Sequence, residues 1–312
     1  MDNLTHTLVG VTLGKAGLAH RTPMAMAALV IGANLPDVDI LGLLVGQNLG
    51  FRRGITHGVL ALAVWPFILT GLLLAWDRFR RQREPDRPAP VPAQLLLVSA
   101  VALVSHPLLD WFNSYGMRWL MPFRGTWYYG DTWFIIDPWV MGVLISVLWM
   151  GAARAGHPPR AGPARAGLLV VGSYAGAMWL GSWAGERQVR RELADLGFPK
   201  PRRVMVAPVP FNPFLRDVLI DDGQVYRRTT LGPGRPFALP ADAVIEPGLD
   251  VVDMTRVAAD PQGAQFLDWS RFPFARLEQA GDTTVVVLDD ARYTGISGRS
   301  FARTEVRLLP RP

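Results

Sequence analysis

The sequence contains no cysteine, which excludes disulfides and thiolate metal sites and leaves any metal to imidazole and carboxylate. Charge is scarce: Asp, Glu, Lys and Arg make up 19% of 312 residues, against roughly 25% in soluble domains. Histidine is rarer still, with five copies, so each can be weighed on its own. His-Glu-x-x-His does not occur, which argues against a zinc protease built on that helix motif. The N-terminus lacks a cationic leader: residues 1–5 carry an acid and Lys15 interrupts the first apolar stretch, so no cleavable signal peptide is expected. No internal repeat is visible.

What the chain has in quantity is apolar and aromatic surface. Half its residues are hydrophobic, with 11 Trp and 14 Phe, and mean hydropathy is +0.18. Four apolar runs, 58–76, 93–111, 134–150 and 166–184, are long enough or nearly so to cross a hydrocarbon layer of about 30 Å as helices of about 17–25 residues. Two shorter runs precede them, at 4–18 and at 24–33 continuing through 40–45. The second is broken by Asn34-Leu35-Pro36-Asp37-Val38-Asp39. A proline and two acids interrupt a helix, and such a break is tolerated at membrane depth only where it is buried in protein or lines a wet cavity. The expected architecture is therefore an α-helical polytopic membrane domain of about six helices, the first two short or re-entrant.

The net charge is +6, but the arginines cluster between apolar runs, which points to topology and not to nucleic acid. Arg78, Arg80, Arg81, Arg83 and Arg87 fall in one connection, Arg154, Arg160 and Arg165 in another, and Lys15, His20 and Arg21 at the first turn. The positive-inside rule assigns these three to the cytoplasm. The Asp37 region, 52–57, 113–131 and everything after 185 then face the other side, with Arg52 and Arg53 running against the rule. From about 185 the composition changes. A charged linker or helix at 186–203 leads to strand-like segments at 204–209, 218–220, 225–230 and 283–288, with Asp221-Asp222-Gly223 as a hairpin turn. Three regions result: a helical membrane domain at 1–185, the linker at 186–203, and a small β-rich extracytoplasmic domain at 204–312.

Ionisable groups in apolar helices invite a functional reading because they are costly there. His106-Pro107-Leu108-Leu109-Asp110 places an imidazole and a carboxylate on one helical face at i,i+4, close enough to share a metal or to hydrogen-bond. Asn113 follows one turn later. The same segment can be read as a capped helix end, although acids oppose the dipole at a helix C-terminus. Asn34-Leu35-Pro36-Asp37-Val38-Asp39 can turn two carboxylates toward one point, or simply cap the next helix. Arg52-Arg53-Gly54-Ile55-Thr56-His57 stands at the mouth of a span, where Thr56 could cap and His57 sit at the interface. His6, in Thr5-His6-Thr7, is ambiguous alone.

Together they converge, because a topology drawn from arginine counts puts all four segments on one face. His20 and His157 fall on the other and are set aside. Three histidines with several aspartates suit zinc, with manganese or iron as alternatives, and suffice for one or two ions. Arg52, Arg53 and Arg124 suit either an anionic substrate group or lipid-headgroup anchoring. Asp131 suits a further ligand or the general base, whereas Asp137-Pro138 suits a helix start. Trp127, Tyr128, Tyr129 and Trp133 suit an interfacial belt.

The set Asn3-x-Thr5-His6, Asn34-Leu35-Pro36-Asp37-x-Asp39, Arg53-Gly54-x-Thr56-His57 and His106-x-x-x-Asp110-x-x-Asn113-x-Tyr115-Gly116 resembles the bacterial inner-membrane metal-dependent hydrolases of the YdjM/YbcI-like family, motif by motif over residues 1–140. The likeness continues faintly into Pro208-Val209-Pro210-Phe211-Asn212-Pro213 and Asp289-Asp290-Ala291-Arg292-Tyr293. The segment Phe51-Arg52-Arg53-Gly54 departs from the family, which often has His before Arg-Gly. The resemblance implies metal ligation by His6, Asp37, His57, His106 and Asp110, with Asp39 as a further candidate.

The resulting expectation is a multi-pass protein of the bacterial inner membrane that cleaves an ester or phosphoester, lipid or lipid-linked, at the extracytoplasmic face. Asp39, Asp131 and Arg53 are its candidate catalytic groups, with Arg53 neutralising developing charge. The alternatives are a metal-ion or proton transporter using the same groups, or a non-catalytic envelope scaffold whose β domain binds a partner.

Overall fold

A computed structural model of the chain describes residues 1–45, 48–152, 160–281, 283–294 and 302–308. Arg154 and His157 lie outside the described residues. The chain divides into two compact units, Met1–Trp179 and Leu180–Pro312.

The first unit is helical: α1 (Asn3–Lys15), α2 (Ala25–Gly32), α3 (Asn48–Phe51), α4 (Val59–Arg81), α5 (Pro92–Trp111) and α6 (Pro138–Met150), followed by α7 (Ala161–Asp195), which runs on into the second unit. Asp2 caps α1 by accepting from the amide of Thr5, and Asp137 caps α6 with Pro138 in its first turn. The core joins α2, α4 and α5 through Ala25, Ala28, Leu29, Leu69, Val98 and Leu103. Small residues set the distance between α2 and α5. A Cβ on Gly32 would stand 2.8 Å from that of Ala102, so any larger residue there would push the pair apart. Without a hydrophobic force between helices in lipid, such close backbone approach is what holds them. The opposite side of α4 leaves Val64, Phe67, Leu72 and Trp76 exposed, a surface suited to lipid.

Among the described residues, two helices are long and apolar enough to cross a membrane, α4 and α5, or three if the bent pair Ala25–Gly32 and Leu35–Leu44 forms one broken span. The expected count of about six crossings is thus not met. At about 1.5 Å per residue, the 13 residues of α1 and of α6 reach only about 20 Å. α7 is long, with 35 residues, but glycine and serine dilute its apolar run below the hydropathy of a span. The helix break expected at residues 34–39 is a 41° bend, where α2 gives way to a 3₁₀ segment at Leu35–Val45.

The second unit carries two antiparallel sheets. The first has order β1 (Arg203–Val209), β2 (Asn212–Asp221), β3 (Tyr226–Leu231) and β4 (Val244–Ile245), and the second β5 (Pro273–Ala280), β6 (Thr283–Asp290) and β7 (Arg303–Leu308). Two short helices, α8 (Met254–Ala259) and α9 (Pro261–Trp269), lie between. The first sheet is buried on both faces. Val204, Val206, Val218 and Ile220 pack on Val189 and Leu193 of α7, while Met205, Ala207 and Leu219 pack on Phe272 and Phe274. The turn between β2 and β3 is Asp221-Asp222-Gly223 as expected, with Asp222 Oδ1 accepting from the amides of Gln224 and Val225.

Candidate metal centre

Four side chains from three separated segments meet: Asp37, His57, His106 and Asp110 offer ligand atoms that all lie within 4.8 Å of one another. Each is brought there by a local feature of the sequence. Asp37 sits at the break after α2, where its amide bonds back to the Asn34 carbonyl. His57 sits in the tight turn before α4, its amide bonded to the Gly54 carbonyl. His106 and Asp110 lie one turn apart on α5, both fully buried.

The spacing suits a single ion. His57 Nε2 is 3.1 Å from His106 Nε2 and 3.6 Å from Asp110 Oδ2. His106 Nε2 is 3.5 Å from Asp110 Oδ2 and 3.8 Å from Asp37 Oδ1. Tetrahedral ligands with bonds of about 2.0–2.1 Å stand about 3.3 Å apart, inside the observed range of separations.

Hydrogen bonding fixes both imidazoles. His106 Nδ1 lies 2.6 Å from the Ala33 carbonyl; a carbonyl only accepts, so Nδ1 donates and Nε2 holds the lone pair. Ala33 ends α2, so this bond also satisfies a carbonyl left over at the helix terminus. His57 Nδ1 lies 3.3 Å from Asp39 Oδ2 and 2.9 Å from Thr56 Oγ1. With its proton on Nδ1, toward the carboxylate, His57 would turn the Nε2 lone pair inward. His57 Nε2 and His106 Nε2 face each other at 3.1 Å, next to two carboxylates. Asp37 Oδ2 and Asp110 Oδ2 have no hydrogen-bond partner among the described residues. Two buried carboxylate oxygens without a donor, beside two imidazole nitrogens, suit a cation, and the residues present fit a divalent metal ion held by two nitrogens and two oxygens.

The other sequence-derived candidates surround this group. Asp39 accepts from the Arg53 amide at 2.7 Å and from Arg52 Nη1 at 2.8 Å, so it stands behind His57. His6 stacks on His106 with ring centroids 3.8 Å apart. Its Nε2 is 3.3 Å from Asp110 Oδ1, the oxygen that also contacts the Met1 amino group. Arg53, expected to meet developing charge, is 3% exposed. It donates to Asp110 Oδ1 at 3.0 Å, Asn113 Oδ1 at 2.9 Å and the Gly116 carbonyl at 3.0 Å. Arg52 lies at the edge, 21% exposed and 3.4 Å from Asp37 Oδ1. Asp131 lies in the loop after α5, with a positive φ of 46°, and is not one of the four converging residues. Asp137 caps α6.

Two participants escaped the sequence reading. The Ala33 carbonyl carries no sequence signal at all. Arg118 is buried, donates to the carbonyls of Gly50 at 2.7 Å and Arg52 at 2.9 Å, and lies 4.8 Å over the Trp127 ring. Only its place in a motif-poor loop was visible beforehand.

Comparison with known proteins bears on the helical unit. The family described as YdjM inner membrane protein matches residues 1–184, which contain every residue of the cluster and stop short of the tail motifs. YfhP of Bacillus subtilis (strain 168), an uncharacterized protein, is 29% identical over 139 residues, covering 41% of this chain and 39% of its own length. The chain thus matches about two fifths of that relative. No solved structure matches.

Proposed function

Because this chain belongs to the YdjM inner membrane protein family, we propose that it is a membrane-embedded metal-dependent hydrolase acting on an ester or phosphoester of a lipid or lipid-linked substrate. The observation that carries the reading is the convergence of His57 Nε2 and His106 Nε2, 3.1 Å apart, with two buried carboxylates. Asp37, His57, His106 and Asp110 hold one divalent ion, zinc before manganese or iron given two nitrogen and two oxygen ligands. Such an ion supplies Lewis acidity toward a phosphoryl or carbonyl oxygen and acidifies water.

The protein's own groups do the rest. Asp39 stands against His57 Nδ1 and orients the ring, and Arg53 holds Asp110 in place from behind. Arg52, the more exposed of the two arginines, is the one available to an anionic head group. A cavity of about 280 Å³ lined by Val38, Asp39, Leu41, Phe51, Ile55 and Thr56 opens on this side. An apolar cleft of about 520 Å³ includes Val9, Leu109, Trp133 and Val171, beside the residues that carry His6 and Asp110. Both linings favour a substrate with hydrocarbon. The arginine distribution supports an extracytoplasmic site and C-terminal domain, which a C-terminal periplasmic-reporter fusion tests directly.

The test is elemental analysis of detergent-purified protein alongside turnover of phosphoester, carboxylester and phospholipid substrates. Near-stoichiometric metal and metal-dependent turnover are expected, with both lost in His106→Ala and Asp110→Ala. Full metal content in both variants would remove the assignment. Bound metal with ion flux in liposomes and no turnover would replace hydrolysis by transport.

A further inference from the structure

The family-like segment Pro208-Val209-Pro210-Phe211-Asn212-Pro213 forms the β1–β2 hairpin tip, and the metal centre makes no use of it. Its tip exposes two phenylalanines, Phe211 at 73% and Phe214 at 74%. A bulky side chain with positive φ is rare and strained, yet Phe211 has φ 65°. The tip is held in this shape locally. Pro210 and Pro213 restrict it, Asn212 Oδ1 accepts from the Phe214 amide at 3.0 Å, and the β1–β2 register shifts at Pro208/Val209.

Within the second unit the tip has a definite neighbour. Phe214 and Arg216 share a shallow groove with Gly181, Ala184 and Gln188 of α7, and a Cβ on Gly181 would stand 2.6 Å from Arg216 Nη2. This turn of α7 is where its composition changes. Leu180 and Trp183 are exposed apolar residues, while Glu186, Arg187 and Arg190 follow at once. Arg187 lies 3.9 Å over the Trp183 ring. An exposed aromatic with a stacked cation, amphipathic in both side chains, suits a membrane–water interface.

We propose that the hairpin tip, with Trp183 and Arg187, docks the β-rich unit into the interfacial layer of a membrane, its partner being anionic lipid. Phe211 and Phe214 enter the acyl boundary, and Arg187 and the exposed Arg235 face the headgroups. This anchor is independent of the metal centre and of any hydrolytic reading.

The absence of cysteine makes the test direct. Full-length Phe211→Cys, Phe214→Cys and Gln224→Cys each carry one environment-sensitive fluorophore in vesicles of phosphatidylethanolamine and phosphatidylglycerol. Gln224 lies in the β2–β3 turn, at the other end of β2. Nitroxide placed at the top of the lipid acyl chain should quench the probes at 211 and 214 at least several-fold more than the probe at 224, and aqueous iodide should show the reverse order. Either of the two tip positions suffices if the other variant misfolds, as judged by its thermal unfolding. Equal iodide access at the tip and at 224 overturns the proposal. Protection from iodide without nitroxide quenching also overturns it, by making the occupant a protein.

Discussion

Asp39 Oδ2 lies 3.3 Å from His57 Nδ1, on the edge of the ring opposite the one that faces His106. A carboxylate in that position orients the ligand and fixes its proton, and losing such a partner typically weakens metal binding by about 10–100-fold. Asp39→Ala should therefore keep the fold and bind metal more weakly by about that factor, whereas His57→Ala should leave no stoichiometric metal. Competition titration with a chromophoric chelator separates the two. Equal loss in both variants would place Asp39 among the ligands themselves.

Gly58 tests the same ring without touching a ligand. A Cβ there would stand 2.2 Å from the Met121 carbonyl oxygen, a backbone atom that cannot rotate away. Gly58→Ala must displace either the start of α4 or the loop carrying Met121, and His57 is its chain neighbour. A stability loss of about 1–3 kcal/mol, as for other overpacked sites, is expected together with reduced metal content. Unchanged metal and unchanged unfolding would mean that the two segments are not in register as described.

Much of this centre was legible because its chemistry follows helical arithmetic. His106 and Asp110 share a face at i,i+4 whatever surrounds them, and Pro36 between two acids marks a break. The four segments do meet, although the six-crossing scheme drawn from arginine counts does not hold. What could not be read was direction. Nothing in Arg52-Arg53 says that Arg53 turns inward to Asp110 while Arg52 stays at the rim, since that depends on the left-handed turn at Arg53 with φ 48°. The carbonyl that fixes His106 belongs to Ala33, and backbone acceptors leave no mark on composition. In the second unit β6 was visible from Val285, Val286 and Val287. Its partner β5, with Arg276, Glu278 and Gln279, has no run of branched residues and takes its conformation from the strand beside it. The spans are fewer than the apolar runs because short helices such as α1 and α6 are stabilised by packing on neighbours.

Arg53 offers a sharper test of positioning. Its guanidinium reaches Asp110 Oδ1, Asn113 Oδ1 and the Gly116 carbonyl at once, with Tyr115 4.6 Å beneath it. Lysine carries the charge but cannot reproduce the fork. Arg53→Ala should destabilise the helical unit by about 3–5 kcal/mol, the range for breaking one side of a buried pair. Arg53→Lys should fall between, with weaker metal binding. Thermal unfolding in detergent and the chelator titration report the two effects separately. Wild-type stability in Arg53→Ala would show that the contacts contribute nothing.

Asp290 is a buried and densely hydrogen-bonded charge of the second unit. It accepts from Ser270 Oγ, from the Arg271 and Arg292 amides at 3.0 and 2.9 Å, and from Arg292 Nε and Nη2, both at 2.9 Å. Burial alone would raise its carboxyl, but the Arg292 guanidinium and these donors outweigh burial and hold it below its ordinary 3.8. A carboxylate that binds protons less readily folded than unfolded stabilises fully above its ordinary value, and that contribution is lost as pH falls through and below it. Asp290→Ala removes the carboxylate paired with buried Arg292 and should cost about 3–5 kcal/mol at neutral pH. The gap between wild type and variant should shrink as pH falls below about 4. Hydrogen exchange in peptides covering 283–290 of the full-length protein, corrected for intrinsic exchange rates, measures this locally. A gap that stays constant from neutral pH down to about 3 would mean that Asp290 contributes through shape and hydrogen-bond count, with its ionisation playing no part.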